Sequence, residues 1–298
     1  MAVADRLARL ARPSHAFAML ALDQRESLRT MLSTSRGSPE PVADESLRAF
    51  KVAAARALTP GASAVLLDVE YGLWTVRDAG AIAPGCGLIV AADRLTQEPG
   101  GPVEWTEVDE DVLADDAIAA IADAYKLLVI WRPGEERERA RVVRRFIDAA
   151  HDRGRAAIVE GIVRGREGQA IPAADHAAVV LAAATELAGS GADLYKAEVP
   201  TLGSAADEAI TAAARALTDA IPCPWVVLSN GTTAERFDGA MLAACRGGAD
   251  GFLAGRALWT ASIAAPDPDD HLRSVAAPRL VALGAAVEAA IAERRTSP

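Results

Sequence analysis

The sequence GADLYKAEVP, residues 191–200, predicts a short β-strand that carries a lysine and ends at Pro200. Side chains alternate along a strand with a period of two, so Leu194, Lys196 and Glu198 share one face. Helical patterns precede and follow this strand. A strand between two helices is usually covered on both faces. The sequence therefore predicts a lysine inside a covered sheet.

The same alternation of strand and helix extends along the whole chain without a break in composition. Strands joined by crossover helices are parallel, and eight such units favour an α/β fold of the (β/α)8 TIM barrel type. An open doubly wound sheet is the alternative, but no GxGxxG motif opens the first helix. The predicted strands are 17–23, 62–68, 87–92, 126–131, 156–160, the strand of Lys196, 225–229 and 251–255.

The barrel is predicted to be a single domain over residues 1–298. A short helix at about residues 1–14 precedes it, and a helix at about residues 280–294 ends the chain. Between the third and fourth strands, the polar residues 96–108 predict a loop and residues 112–124 predict one helix.

The composition is that of an aliphatic, acidic chain. Its 298 residues are 51% hydrophobic and 4% aromatic, which suits helices packed on parallel strands. The net charge of −10 disfavours nucleic acid and anionic membranes as partners. The sequence contains no run of 18 apolar residues, so it predicts no membrane helix. The N-terminus lacks the apolar core of a secretory signal. Three widely spaced cysteines indicate no disulfide framework, which fits the cytoplasm.

A lysine inside a covered sheet has two interpretations. Burial can lower a lysine pKa by about 3–5 units, which leaves a neutral amine able to attack a carbonyl and form a Schiff base. Alternatively, Lys196 reaches solvent or pairs with a carboxylate such as Glu198. This stretch alone favours the second interpretation, so the choice depends on the other strands.

Polar residues at the ends of the strands matter because a barrel of this type carries its active site there. Glu160 ends an apolar strand next to that of Lys196, where a carboxyl group is suited to proton transfer. Lys126 begins its predicted strand, which is the wrong end for a site. Asp68 and Asp93 also follow strands, but such carboxylates commonly cap the next helix.

Small and polar residues follow the last two predicted strands. Loops in these positions commonly bind phosphate through backbone N–H groups and a helix N-terminus. Glycine lets the backbone approach an anion, and arginine adds a charge-assisted hydrogen bond. The alternative is that the glycines are ordinary turn residues and the arginine lies on the surface. The candidate phosphate-binding residues are Ser229, Asn230, Gly231, Gly255 and Arg256.

The histidines argue against a metal site. A metal-dependent aldolase or hydrolase needs histidine or cysteine ligands that converge at the strand ends. All four histidines fall on predicted helices or termini instead, at positions 15, 151, 176 and 271. We therefore expect no metal ion and no other cofactor.

Five motifs stand out along the chain, namely FAMLALDQRESLRTML (17–32), FKVAAARALTPGASAVLLD (50–68), ADLYKAEVP (192–200), VVLSNG (226–231) and GFLAGRALW (251–259). They resemble the class I aldolases of the tagatose-1,6-bisphosphate aldolase family, and within it the sulfofructosephosphate aldolases of sulfoquinovose degradation. The resemblance extends from about residue 14 to 294. The resemblance implies a (β/α)8 barrel that cleaves a ketose 1-phosphate without metal. The products would be dihydroxyacetone phosphate and an aldehyde, which is sulfolactaldehyde in the sulfo branch.

The resemblance also implies roles for individual residues and a homo-oligomer. Lys196 would form the Schiff base, Glu160 would act as acid and base, and Lys126 would be a second active-site lysine. Asp23 and Gln24 would contact substrate hydroxyls and assist proton transfer. The substrate phosphate would bind to Ser229, Gly231, Gly255 and Arg256.

Three departures leave the group at the far end of the substrate open between sulfonate and phosphate. Asn230 stands where a small residue is usual, Gly161 follows Glu160 where the sulfo branch has proline, and LLDVEYGL (66–73) resembles the tagatose branch. A related bisphosphate aldolase and a non-catalytic phosphosugar-binding barrel remain alternatives. Candidates to bind the far-end group are the loop arginines Arg25, Arg132 and Arg164.

Overall fold

Eight parallel strands close into a barrel, as predicted. The computed structural model describes residues 5, 7–37, 42–98, 101–166, 169–203 and 205–296. Around the barrel the strands follow the order β1-β10-β9-β8-β7-β6-β3-β2. The described residues contain ten strands, which are β1 (Phe17–Leu22), β2 (Ala64–Leu67), β3 (Gly87–Ala91), β4 (Asp93–Gln97), β5 (Val103–Val108), β6 (Ala124–Trp131), β7 (Ala156–Val163), β8 (Leu194–Glu198), β9 (Trp225–Leu228) and β10 (Gly251–Ala254).

Helices cover the outside of the barrel. The predicted helix over 112–124 is two short helices, because the Asp115 side chain accepts hydrogen bonds from the N–H groups of Ala117 and Ile118 and begins a second helix. The helices are α1 (Glu26–Arg36), α2 (Asp44–Leu58), α3 (Trp74–Asp78), α4 (Glu110–Ala114), α5 (Asp116–Ile121), α6 (Glu136–Asp152), α7 (His176–Ala188), α8 (Asp207–Ala220), α9 (Ala234–Gly247), α10 (Arg256–Ile263), α11 (Pro268–His271) and α12 (Ala277–Thr296).

The segment predicted as a loop, residues 96–108, contains an antiparallel hairpin instead. Strand β4 pairs with β5, with Asp93 opposite Val108. Both strands are short and rich in charged residues, and Pro102 and Gly101 lie between them. The sequence of this hairpin therefore resembles that of a loop, because exposed strands lack the alternation of apolar and polar residues that identifies a half-buried strand.

The predicted N-terminal helix is only partly described. Residues 1–4 and 6 lie outside the described residues, and residues 8–10 form a turn. Leu7 and Leu10 are buried with Phe17 and Met19 in the apolar cluster inside the barrel. The N-terminal segment thus contributes side chains to the barrel interior.

The C-terminal helical segment Pro268–Thr296 is long and apolar enough, by length and composition, to cross a membrane. Of its most apolar window, 39% is buried, and Leu280, Val287 and Ile291 lie in the core of the protein. A helix that packs on the outside of a barrel can have the same length and composition. These two properties therefore do not distinguish a barrel helix from a membrane helix.

A buried ion pair joins helix α2 to the ends of β1 and β2. Lys51 is fully buried, donates a 2.7 Å hydrogen bond to the Leu22 carbonyl and pairs with Asp68. Asp68 also accepts a 2.7 Å hydrogen bond from the Tyr71 N–H. Asp68 therefore caps a helical turn, which is the structural role considered for it above.

We expect Lys51→Met to lower the free energy of unfolding by about 3–5 kcal/mol, because it leaves the Asp68 carboxylate buried without its cation. Urea denaturation measures this change. Arg56→Met is the matched control, since Arg56 lies exposed on the same helix, and its cost should stay below about 1 kcal/mol. Equal stability of the two variants would contradict the structural role of the pair.

Candidate active site

Three adjacent strands bring two lysines and a carboxylate together inside the barrel. Glu160 on β7 is the Cα partner of Lys196 on β8, and Lys126 on β6 is the partner of Ile158. The Lys196 Nζ lies 3.0 Å from Glu160 Oε1, and the Lys126 Nζ lies 2.9 Å from Glu160 Oε2. One carboxylate therefore bridges both amines.

Lys126 lies at the C-terminal end of the barrel, although the sequence places it at the start of a strand. Strand β6 begins at Ala124 and is eight residues long, whereas its neighbour β3 ends at Ala91. Ala91 is the Cα partner of Lys126. Because β6 continues past the end of β3, Lys126 reaches the level at which the neighbouring strand ends.

Three carboxylates converge on the Lys126 amine, which is 1% exposed. Its Nζ lies 2.7 Å from Asp23, 3.0 Å from Asp93 and 2.9 Å from Glu160. Burial alone would lower the pKa of Lys126, but the three carboxylates outweigh it and hold that pKa well above its ordinary value. Lys126 therefore stays protonated.

Asp23 shows the complementary effect. Burial alone would raise the pKa of its carboxyl group, but the amines of Lys126 and Lys196 outweigh burial and hold the pKa below its ordinary value. Asp23 therefore remains a carboxylate across the physiological pH range. Among the described residues, Glu160 is the single carboxylate within 4.0 Å of Lys196, so Lys196 has fewer anionic partners than Lys126.

Apolar side chains enclose this polar layer along the barrel axis. On the side of the strand starts, Leu194 and Ile158 belong to the apolar cluster inside the barrel. Towards the strand ends, Ile130, Ile162 and Leu228 form a second apolar cluster. The polar groups therefore interact between two apolar layers, where charge–charge interactions are stronger than in bulk water.

A cavity of about 650 Å³ opens on the polar layer. Gly231 lies outside its wall: it has φ 75°, is exposed, and an added Cβ would contact Leu202. Its backbone conformation is that of a turn glycine, and its contact with phosphate stays a prediction. The other predicted site residues line the cavity, namely Asp23, Gln24, Arg25, Lys126, Glu160, Lys196, Ser229, Asn230, Gly255 and Arg256.

Gly255 allows close packing on the wall of this cavity. An added Cβ would lie 2.5 Å from the Ala21 carbonyl oxygen and 2.9 Å from the Gln24 amide nitrogen. A larger residue would therefore push β10 away from β1. Gly255 also precedes helix α10, whose first residue is Arg256.

The three loop arginines have different surroundings. Arg25 lines the cavity, but its guanidinium donates to the carbonyl and the carboxylate of Asp93 at 3.0 and 3.1 Å. Arg132 donates hydrogen bonds to the backbone carbonyl and the carboxylate of Glu104 and does not line the cavity. Arg164 lines the cavity without a carboxylate partner among the described residues. Of the three, Arg164 is the one available to an anion.

Asp93 is the site residue for which sequence reasoning preferred a different role. It is 3% exposed, pairs with Lys126 and Arg25, and accepts a 3.1 Å hydrogen bond from the Leu128 N–H. The sequence feature that indicated Asp93 was its position directly after a strand, but Asp68 has the same feature. Only their partners distinguish the two carboxylates.

The three lysines of the chain are all buried. Lys51, Lys126 and Lys196 are 0%, 1% and 4% exposed, respectively, and every other basic side chain with a permanent charge is arginine. Lysine differs from arginine inside the barrel, because a buried ammonium loses its proton far more readily than a buried guanidinium.

Gly161 is required by the packing behind Glu160. An added Cβ would overlap the Tyr195 hydroxyl and lie 3.1 Å from Leu187. This close contact explains why residue 161, which follows Glu160, is glycine. Because Tyr195 directly precedes Lys196, the packing at Gly161 also affects the position of the Lys196 backbone.

We expect Gly161→Ala to destabilise the protein by about 1–3 kcal/mol through overpacking. Urea denaturation measures this cost, and adding Tyr195→Phe should recover part of it by removing the hydroxyl. Gly239→Ala is the matched control, because an added Cβ there meets nothing within 4 Å. A Gly161→Ala variant as stable as this control would contradict the packing argument.

Comparison with known proteins identifies the family. Residues 17–261 match the DeoC/LacD family aldolase. The chain belongs to the DeoC/LacD aldolase family. The chain is thus an aldolase, a class of lyase, which confirms the predicted enzyme class.

Relatives of this aldolase include the tagatose 1,6-diphosphate aldolase of Listeria monocytogenes serotype 4a, which is 30% identical over 294 residues, 90% of this chain and 85% of that protein. Tagatose 1,6-diphosphate aldolase 2 of Enterococcus faecalis is 32% identical over 123 residues, 40% of this chain and 34% of that protein. The resemblance to the tagatose aldolases is therefore confirmed at the level of the family.

Solved structures support the fold of this aldolase. An archaeal fructose 1,6-bisphosphate aldolase superimposes with a TM-score of 0.62 at 17% identity, over 97% of this chain and 100% of that chain. The Plasmodium falciparum fructose-bisphosphate aldolase does so with a TM-score of 0.73 at 15% identity, over 99% and 95% of the two chains. The (β/α)8 barrel is thus confirmed.

Proposed function

We propose that this aldolase is a class I enzyme that cleaves a ketose 1-phosphate to dihydroxyacetone phosphate and an aldehyde through a Schiff base on Lys196. The observation that supports this proposal most is the buried Lys196 amine, 3.0 Å from Glu160 on the wall of a 650 Å³ cavity. A nucleophilic amine with an acid–base group in hydrogen-bond reach is what Schiff-base chemistry requires.

In the proposed cycle, the neutral Lys196 amine attacks the C2 ketone, and loss of water gives an iminium. Glu160 removes the proton of the C4 hydroxyl, the C3–C4 bond breaks, and its electron pair moves into the iminium as the aldehyde leaves. The resulting enamine takes up a proton at C3. Water then hydrolyses the iminium and releases dihydroxyacetone phosphate. A positioned acid–base group contributes about 10²–10⁴-fold to such steps.

Lys126 and Asp23 support this cycle by electrostatics. The protonated Lys126 holds the three carboxylates in place, and Glu160 has one oxygen on each lysine. Proton transfer through Glu160 therefore occurs beside a fixed positive charge. Asp23, with its carboxylate on the cavity wall, is placed to accept a hydrogen bond from a substrate hydroxyl.

Two ends of the cavity would bind the two anionic groups of the substrate. Ser229, the backbone at Gly255 and Arg256 would bind the 1-phosphate, since these groups lie together on the wall. Arg164 would bind the group at C6, because it lines the cavity without a carboxylate partner among the described residues. This arrangement favours a substrate with two anionic ends.

Two such substrates are candidates. The names of the relatives support tagatose 1,6-bisphosphate, whereas the quoted motifs support 6-deoxy-6-sulfofructose 1-phosphate, whose cleavage would place the enzyme in sulfoquinovose degradation. Release of dihydroxyacetone phosphate from each substrate, measured as kcat/KM, decides between them. Failure to cleave any ketose 1-phosphate would contradict the proposal itself.

Three further expectations stay predictions. They are a single domain, a homo-oligomer and a cytoplasmic location. Light scattering after size-exclusion chromatography tests the oligomer, and a single cooperative unfolding transition with coincident probes is the result expected of a single domain.

A further inference from the structure

A chain of polar contacts connects a buried carboxylate to the proposed phosphate-binding arginine. The Asn230 Nδ2 donates a 2.6 Å hydrogen bond to Glu198 Oε1. The Arg256 Nη2 donates a 2.8 Å hydrogen bond to Asn230 Oδ1. Asn230 is the only asparagine in the sequence, and it joins two groups that have no contact of this kind with each other.

The chemistry of the two partners fixes the orientation of the Asn230 amide. A carboxylate can only accept a hydrogen bond, and a guanidinium can only donate one. The amide nitrogen must therefore face Glu198, and the amide oxygen must face Arg256. Aspartate, which can only accept, and alanine, which has no polar side-chain atom, would not make both contacts.

Glu198 is the anchored end of this chain. It is 2% exposed, and its Oε2 accepts a 3.3 Å hydrogen bond from the Val163 N–H and lies 3.5 Å from His176 Nε2. A buried carboxylate is costly unless its oxygens are paired. Glu198 is held by neighbouring strand and helix residues, whereas Arg256 is exposed and projects from the start of a helix.

We propose that Asn230 is a positioning residue which, anchored by Glu198, fixes Arg256 at the anion-binding end of the cavity. This inference rests on the proposed function for the identity of that end. It changes the expected role of Asn230 from a contact with substrate to a contact with Arg256. Binding is tighter when an arginine is already ordered, because less conformational entropy is lost on association.

Calorimetric titration with inorganic phosphate tests the proposal without requiring turnover. Removing a charge-assisted hydrogen bond should weaken phosphate binding by about 10-fold or more in Arg256→Ala, and Asn230→Ala should weaken it by roughly 3–10-fold. The double variant should bind no more weakly than Arg256→Ala, because Asn230 acts through Arg256. Arg246→Ala is the matched control, since this exposed arginine lies near Pro224 and Trp225, at the start of β9.

Glu198→Gln provides a second test through a conservative change. One carboxylate oxygen becomes an NH2 group, so either the Val163 N–H or the Asn230 amide loses its acceptor. Phosphate binding should weaken by a few-fold, and with a cleavable substrate KM should rise by a larger factor than kcat falls. Thermal unfolding of each variant shows whether the fold is retained.

The outcomes separate this inference from the proposed function. Wild-type phosphate affinity in Asn230→Ala, additive losses in the double variant, or no phosphate binding by the wild type would each overturn it. If phosphate binding follows the expected pattern but no ketose phosphate is cleaved, the proposed function fails and the positioning role of Asn230 stands.

Discussion

Replacing Lys196 with methionine should abolish cleavage while the protein still folds. Methionine is close to lysine in volume but has no amine, so no iminium can form at C2. We expect kcat to fall by at least about 10⁴-fold. In the Lys196→Met variant, Glu160 still has the Lys126 amine as a partner, which lies 2.9 Å away in the wild type. The carboxylate is therefore not left without a cation. Release of dihydroxyacetone phosphate, with urea denaturation of the same preparation, measures both effects.

Lys196→Arg sharpens this test, because it keeps the positive charge but replaces the amine with a guanidinium that does not lose its proton. It should be as inactive as the methionine variant. Borohydride added to wild-type protein with substrate should leave a covalent adduct on Lys196. The chain has three lysines, so peptide mass spectrometry also reports on Lys51 and Lys126 as internal controls. Turnover by either variant, or an adduct elsewhere, would refute the assignment.

The second large effect is expected at Lys126, whose replacement by methionine should impair both activity and folding. Three carboxylates, Asp23, Asp93 and Glu160, lose their shared cation. Breaking a buried ion pair in this way costs about 3–5 kcal/mol of unfolding free energy. The activity should fall by at least about 10²-fold, because Glu160 loses the charge beside it. Denaturation and steady-state kinetics measure the two losses.

The pH dependence of stability separates a charge effect from simple loss of packing. In the wild type, the lowered pKa of Asp23 adds stability above about pH 4, which is lost only as pH falls through the folded value. The raised pKa of Lys126 adds stability below about pH 10, which is lost as pH rises through the folded value. Both contributions are therefore constant between about pH 5 and 9.

In Lys126→Met, the crowded carboxylates should bind protons more readily in the folded state than in the unfolded state. Stability should then increase as pH falls from about 8 to 5, the direction set by greater proton binding in the native state. Arg56→Met, which removes an exposed cation and leaves no carboxylate buried without a partner, serves as the comparison. A stability that is independent of pH in Lys126→Met would contradict the charge network.

The barrel was predictable because most of its strands are short apolar runs between helical patterns, as at Trp225–Leu228. Lys196 and Glu160 were predictable for a related reason. A charged residue in an otherwise apolar strand stands out, and neighbouring strands in the chain are neighbours in the barrel. Local sequence pattern therefore contained both the fold and the central pair.

The remainder of the site depends on contacts distant in sequence. Asp93 and Asp68 occupy equivalent positions after strands, and only the tertiary positions of Lys126 and Lys51 assign one to the site and the other to a cap. The level of Lys126 depends on the stagger between β6 and β3. Periodicity within one segment carries no information on stagger between segments, so these assignments require the structure.

The restriction of lysine to the interior affects how the folded protein meets electrophiles. Acylating reagents that label surface amines find no lysine on the exterior, since even the most accessible of the three, Lys196, is 4% exposed. Apart from any terminal amine, a small activated ester can reach a lysine only through the cavity, whose wall includes Lys196 and Lys126. Because Lys126 remains protonated, it should resist acylation, and loss of labelling in Lys196→Met would assign the acylated amine to Lys196.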